Sequence, residues 1–291
     1  MNNSFRVTGL VFIVSILFLC FFLLSCSWMN ESSDREDIEG LINDEYKAYF
    51  FPIDEIDDGG ITGEHGQGLL GEKAYLHPWG RKIKRPFDKT IEIEINGNTA
   101  NVTVICDIEG EFLVDTSDDD IENPGSKPLS DKLIKYAVFE KSDDGRWILT
   151  KISPAEIKLA DEEKQTVKII SVHIYDTDGD VDMTITDPST LYDVETEVPH
   201  FEKDELVYVE VIAENTTTEN YEPRSFVYLH WPYHRDLFYD QGDDTHYFGN
   251  WAPHNVGVHH AAVDILNSGC IQNETEDDYN ATAWAMPYVV Y

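Results

Sequence analysis

The chain has 291 residues, with 56 Asp and Glu against 21 Lys and Arg, a formal net charge of −35. Such a charge repels nucleic acid and anionic lipid faces, which argues against both as partners and favours solubility, cation binding or salty surroundings. Apolar and aromatic residues are plentiful and fall in periodic segments, so the acidity does not signal disorder.

At the amino terminus a short polar stretch, Met1 to Arg6, precedes an apolar run from Leu10 to Leu24 that only Ser15 interrupts. A charged start, a short apolar core and a small residue before a cut describe a secretory signal. About fifteen apolar residues fall short of the roughly twenty that a membrane span needs. The run ends Leu23-Leu24-Ser25-Cys26. These four residues resemble the lipobox of bacterial lipoproteins. The resemblance implies cleavage before Cys26, diacylglycerol on its sulfur and acylation of the new amino group. It also implies a membrane-anchored location outside the cytoplasm, and Ser27 resembles sorting to the outer membrane in a bacterium with two membranes. An ordinary secretory signal or an uncleaved anchor is the alternative. The expected divisions are a signal peptide at 1–25, a lipidated tether at 26–32, and two domains of adequate size in the remainder. Cys106 and Cys270 fall in different halves of the chain and are expected as free buried thiols, with a disulfide as the alternative.

The first domain, 33–158, opens on Ser33-Asp34-Arg35-Glu36, a capping-box pattern. Ile38, Leu41, Ile42, Tyr46, Tyr49 and Phe50 recur at helical spacing, and Pro52 stops the helix. Residues 55–72 read as a loop. After Pro86 the period becomes two. Ile91, Ile93 and Ile95 alternate with Glu92 and Glu94, Asn96-Gly97 supplies a hairpin turn, and Ala100, Val102, Val104, Cys106 and Ile108 alternate on the return. An acidic loop at 115–127 leads to a second hairpin, with strands at Leu133–Lys141 and Trp147–Ile152 about the turn Asp143-Asp144-Gly145. A helix and long antiparallel strands make an α+β layer, the helix covering a curved sheet. The opening helix, the Ile91–Ile108 hairpin and the run Ala137-Val138-Phe139-Glu140-Lys141 to Arg146-Trp147-Ile148-Leu149 resemble the SnoaL-like, or nuclear-transport-factor-like, cone fold. That family includes isomerases and cyclases with an acid–base pair in the cone, but no position here carries its catalytic Asp or His by motif. His65 and His77 read as surface histidines. The basic cluster Arg81, Lys82, Lys84, Arg85 reads as local pairing with carboxylates.

Ser153-Pro154 ends that sheet, and 155–165 reads as a charged connector. The second domain, 166–291, shows strand-like runs at Val167–Tyr175, Met183–Thr186, Glu205–Ala213, Ser225–Trp231, Val258–Leu266 and Trp284–Tyr291. Several short strands with no convincing helix indicate an all-β sandwich. It resembles, in architecture only, the immunoglobulin-like modules of bacterial surface proteins. Asp176, Asp178, Asp180 and Asp182 alternate around Gly179, a spacing suited to a hard cation, so calcium is expected there. Gly stands at the fourth position of that loop and Asp187 at the twelfth, which departs from the EF-hand. A solvated hairpin turn is the alternative.

Six of the ten histidines fall between His230 and His260, among Trp231, Tyr233, Tyr239, Tyr247, Phe248 and Trp251. The stretch reads as a transition-metal site, as a ligand surface for sugar or peptide carried by His230, Trp231, His234, His246, Trp251 and His254, or as a self-packed loop. No nucleophile elbow, phosphate loop or dinucleotide fingerprint is present. The leading expectation is a non-enzymatic, membrane-anchored binding or scaffold lipoprotein of the bacterial envelope, calcium-stabilised, with a protein, peptide or glycan ligand. A hydrolase or isomerase, with its site in the cone or in the His-rich stretch, is the alternative. A purely structural envelope component is the third.

Overall fold

A computed structural model of the chain describes residues 32–60, 77–117, 123–218, 224–232, 234–240, 242–243, 245–274 and 278–291. The signal, the tether with Cys26, and His65 lie outside these. Residues 32–43 form a helix, α1, with Ile38 and Ile42 fully buried as their spacing requires. Ser33 lies inside this helix, not before it. Asp34 serves as an anchor, accepting from Lys141 Nζ at 2.9 Å and Trp147 Nε1 at 3.1 Å. The helix does not continue to Phe50. It stops at Asn43-Asp44, whose short polar side chains compete with the helical ladder, and Asn43 Nδ2 donates back to the Glu39 carbonyl at 2.8 Å. After a turn come α2 (Lys47–Phe50) and α3 (Ile53–Ile56), with Pro52 at the N-cap of α3.

The strands of the first half are β1 (Trp79–Ile83), β2 (Asp88–Asn96), β3 (Thr99–Val114), β4 (Gly125–Lys141), β5 (Trp147–Ile152) and β6 (Ala155–Leu159). The β2–β3 hairpin pairs Asn96 with Thr99, and Gly97 takes a φ of 66° that an L side chain rarely adopts. β3 and β4 run past the expected ends because period-two alternation continues through Phe112 and Val114 on one strand and Lys127 and Leu129 on the other. The segment expected as a charged connector is strand β6. Its apolar residues Ala155, Ile157 and Leu159 alternate with Glu156 and Lys158, and all three are buried.

The second half supplies β7 (Val167–Asp176), β8 (Asp182–Ile185), β9 (Tyr192–Asp193), β10 (His200–Phe201), β11 (Val207–Asn215), β12 (Ser225–Trp231), β13 (His234–Leu237), β14 (Tyr239–Asp240), β15 (His246–Trp251), β16 (Gly257–Asn267) and β17 (Ala281–Val290). A short helix, α4 (Ser268–Gln272), links β16 to β17 and is capped by Asn267, whose side chain accepts from Gly269 N.

Among the described residues these strands form two sheets. The larger has twelve strands, eight on the path β1-β3-β4-β6-β17-β16-β12-β13 and β2, β5, β9 and β10 paired beside it, almost wholly antiparallel. It crosses the boundary expected at 158–166 without a break, because β6 pairs with β4 on one side and β17 on the other. The smaller has five, in the order β14-β15-β11-β7-β8. Strands β12, β16 and β17 are a layer shared by two cores. On one face Phe226, Tyr228, Ala262, Leu266, Ala283 and Ala285 join the core under the helices. On the other, Val227, Leu229, Val263, Ile265, Trp284 and Met286 pack on Val172, Ile174, Val209 and Val211 of the five-stranded sheet. Burial on both faces explains why these three strands read as near-continuous apolar runs.

The large sheet curls until its first strand faces its last. Trp79 Nε1 donates to the Tyr228 hydroxyl at 3.0 Å, and Arg235 Nη2 donates to the Trp79 carbonyl at 3.1 Å. Gly80 lets the segment after α3 lie against β1: a Cβ there would be 2.0 Å from the Gly60 carbonyl oxygen.

Candidate functional site

Where β1 meets β12 and β16, the core contains charge. Arg81 Nη1 and Nη2 donate to Asp264 Oδ2 at 2.6 Å and Oδ1 at 2.9 Å. His230 Nε2 stands 3.0 Å from Asp264 Oδ2. Arg81 Nε donates to the Tyr279 hydroxyl at 3.0 Å, and that hydroxyl donates to Asp131 Oδ2 at 2.8 Å. Arg81, Asp131, His230 and Asp264 are each exposed by 3% or less. Burial opposes ionisation of Asp264, yet Arg81 and His230 hold it well below the usual carboxylate range. Asp131 has no such fork. Burial pushes it up to about 7, Arg81 opposing, and its Oδ1 has no hydrogen-bond partner.

A second buried set lies under the helices. Lys135 Nζ is 3.0 Å from His260 Nε2, which is also 3.2 Å from the Tyr49 carbonyl oxygen, and His260 Nδ1 is 4.0 Å from Glu55 Oε1. Burial brings Lys135 down to about 7 and lifts Glu55 to about 7, while burial and Lys135 keep His260 neutral. Groups so shifted are those that acid–base catalysts use. Here Lys135 and His260 are closed off, exposed by 0% and 1%, while 13% of the Glu55 side chain remains exposed. Two open grooves on the described surface, one lined by Lys82, Lys84, Glu109 and Glu111 and another by Glu140, Lys141, Thr150 and Asp193, include none of them.

The signal for this interior was present in the sequence. Along β4, Lys127, Asp131 and Lys135 share strand parity with Leu129, Leu133 and Ala137, so alternation sends all six inward. Lys127 Nζ is accommodated by the Gly269 and Cys270 carbonyls at 3.3 and 2.9 Å. Arg81 likewise shares parity with Trp79 and Ile83. Two others of the basic cluster pair locally: Lys84 with Glu109 at 3.2 Å, and Arg85 with Asp54 and Asp57 at 2.7 and 3.0 Å. Cys106 and Cys270 are free and buried.

The His-rich stretch is a series of strands, and its residues do not make one surface. His230 points into the interior network, and Trp231 and Trp251 are buried in the core between the sheets. His234 is exposed and stacks on Trp231, centroids 5.2 Å apart. His246 Nδ1 is 2.7 Å from Asp243 Oδ2, and His254 Nδ1 is 2.5 Å from Asp204 Oδ1. The 176–182 loop is organised by its first carboxylate. Asp176 accepts from the backbone N–H groups of Asp178, Gly179, Asp180 and Val181 at 2.5–3.2 Å. Asp182 turns to His173 Nε2 at 2.7 Å, and Asp178 and Asp180 face solvent. Among the described residues no three His, Cys, Asp or Glu side chains are gathered to hold a metal ion.

An aromatic surface does exist, on the outer face of the five-stranded sheet. Val172, Ile174, Val209 and Val211 point inward, so alternation turns His173 and Tyr175 of β7 and Tyr208 of β11 outward, beside Phe248 of β15. Their rings form a stacked row, with centroids 4.7 Å apart for His173–Tyr175, 5.4 Å for Tyr175–Tyr208 and 5.8 Å for Tyr208–Phe248. All four are half-buried, and Ile170 and Ile212 beside them are 45% and 38% exposed. Glu210 stands in the row, accepting from the Tyr175 hydroxyl at 3.1 Å. Only Phe248 of this row belongs to the stretch that composition singled out. The others are spread over two strands whose outward parity was legible but whose adjacency was not.

No family model matches the chain, and neither a curated protein nor a solved structure matches it.

Proposed function

We propose that the protein is a non-enzymatic binding or scaffold lipoprotein of the bacterial envelope, tethered through Cys26 and presenting the outer face of its five-stranded sheet to a ligand. In this reading the first half is a cone-like α+β layer of the SnoaL-like kind, and it shares strands with an immunoglobulin-like sandwich. One contrast carries the proposal: the interior ionisable groups are closed off, whereas a row of aromatic rings stands open on an outer face. Contiguous exposed apolar surface of this sort marks interaction sites in soluble domains.

The anchor rests on the lipobox. Among the described residues no helix is long and apolar enough to cross a membrane, and the four-residue match accounts for membrane attachment without one. Calcium enters this reading only if an ion displaces the amides from Asp176 or His173 from Asp182. In Cys26→Ser the expected result is a full-length precursor that takes up no labelled fatty acid, read by metabolic labelling and gel mobility. Lipid labelling of that variant equal to the parent would remove the anchor.

The enzyme reading keeps one observation in its favour. Glu55, Asp131 and Lys135 all titrate near 7, and such groups cluster at active sites. It requires that solute reach them.

A further inference from the structure

We infer that the occupant of the outer face is a cationic peptide segment, whose Lys or Arg side chains lie on the row of rings with their charges met by the surrounding carboxylates. The inference rests on the reading of this face as the binding surface and names the chemistry of its ligand.

Three observations on the face point to a cation. The first is the rings. Tyr175, Tyr208 and Phe248 come from three adjacent strands and stand half-buried on the outward side that alternation gives them. A ring face attracts ammonium or guanidinium through its quadrupole. The second is the placement of carboxylates. Glu210 lies within the row, held by the Tyr175 hydroxyl. Asp182 lies at its edge, 2.7 Å from His173 Nε2. Tyr208 of β11 is opposite Tyr175 and Glu210 is opposite His173, while Asp182 of β8 is opposite Tyr175 on its other side. Side chains set in this way answer charges carried on alternate residues of an extended partner.

The third observation concerns the acidic loop. Asp176 organises that loop through four backbone amides, which leaves Asp178 and Asp180 exposed beyond the Tyr175 end of the row. They extend the negative field past the sheet, and Lys168 is the basic residue at the other end of β7. The whole chain, at −35, adds a long-range bias in the same direction. An anionic ligand is repelled here, and a neutral glycan gains nothing from the field. A cationic segment uses both rings and charge.

The test is fluorescence anisotropy with the soluble chain 27–291, which contains every described helix and strand. The probe is a labelled ten-residue peptide alternating Arg and Ser, and a labelled neutral glucose hexasaccharide serves as the competing chemistry. Three variants are compared. Tyr175→Ser/Tyr208→Ser/Phe248→Ser removes rings without changing charge. Asp182→Asn/Glu210→Gln removes charge and keeps the rings. Glu92→Gln/Glu94→Gln removes the same charge from exposed positions on β2. Urea unfolding of each confirms that the sandwich is intact. The expected result is peptide binding weakened at least tenfold in both face variants and unchanged in the β2 variant, with no binding of the hexasaccharide. Peptide affinity equal in the ring variant and the parent would assign the attraction to diffuse charge and overturn the inference. Ring-dependent binding of the hexasaccharide without the peptide would overturn the cation and leave the binding face standing. Binding of neither probe would count against both.

Discussion

Replacing Arg81 by Met is expected to destabilise the protein by about 3–5 kcal/mol, the range found when one partner of a buried ion pair is removed. The cause is the partner left behind. Asp264 is fully buried, and its ionised form depends on the two guanidinium bonds at 2.6 and 2.9 Å. Without Arg81 the carboxylate either stays charged in an apolar core or takes up a proton, and each course costs free energy in the folded state alone. Tyr279 loses a donor and Asp131 loses its nearest cation by the same change. The damage is directed at the junction that holds the curl together, since β1 meets β12, β13 and β16 through Trp79 and Arg81. Urea unfolding measures the loss. The double variant Arg81→Met/Asp264→Leu is expected to recover part of it, because an apolar pair leaves no buried charge. A single variant within about 1 kcal/mol of the parent, the net worth of an ordinary hydrogen bond, would show that the pair is not a structural latch.

Lys135→Met is expected to act in the opposite sense, raising stability at pH 7, because burial holds the amine far below its ordinary range and a methionine removes that burial penalty. Lys135 is completely buried and its amine is brought down to about 7. Its folded-state pKa is depressed, so between pH 7 and the ordinary lysine value near 10.5 the unfolded chain binds more protons than the folded one. The parent therefore gains stability from this group as pH rises across that window and loses it as pH falls through 7. A methionine carries no such dependence. The advantage of the variant should be greatest at and below pH 7 and should shrink toward pH 10. Glu55 and Asp131 run the other way: both are raised to about 7, so their contribution is present at acid pH and lost as pH rises through 7. Asp131 is common to both proteins and largely cancels in the difference, whereas Glu55 loses the attraction of Lys135 in the variant and is raised further. Melting curves of parent and variant from pH 6 to pH 10 read the effect. An advantage that is constant over that range, or a loss at pH 7, would mean that the amine is not carrying a burial penalty.

Local pattern made much of the secondary structure legible before any coordinates. The β2–β3 hairpin is given by alternation and Asn96-Gly97, and β5, β7 and β12 lie close to where their apolar residues put them. What alternation could not supply was pairing at a distance. β6 resembles a connector because Glu156 and Lys158 stand on its outer side, and only the strands on either side reveal it as the joint between the two halves. The interior network was legible in part: Lys127, Asp131 and Lys135 sit at core parity on β4, and a charge at core parity is a sign of a partner elsewhere. That partner set comes from β16, α4 and the segment before β17, up to 148 residues away in the chain. Composition drew attention to residues 230–260, yet of the described rings there Trp231, Phe238, Tyr247 and Trp251 are core, Trp231 at the end of doubly covered β12 and Tyr247 and Trp251 on the inner face of β15. The open rings sit on β7, β11 and β15, where ordinary alternation places them outward.

The proposal that the interior is closed to solutes is tested most directly by thiol labelling of the chain 27–291. Cys106 and Cys270 are its two cysteines. Cys106 is wholly buried in the core under the helices, and burial lifts its thiol to about 11. Cys270 is 1% exposed, and its carbonyl holds Lys127 at the inner face of β4. Neither thiol should react with a small disulfide reagent in native buffer, and labelling in rising urea should follow global unfolding. Labelling of either within minutes in native buffer, while the fold remains intact, would mean that solutes enter the core, and would count for the enzyme reading.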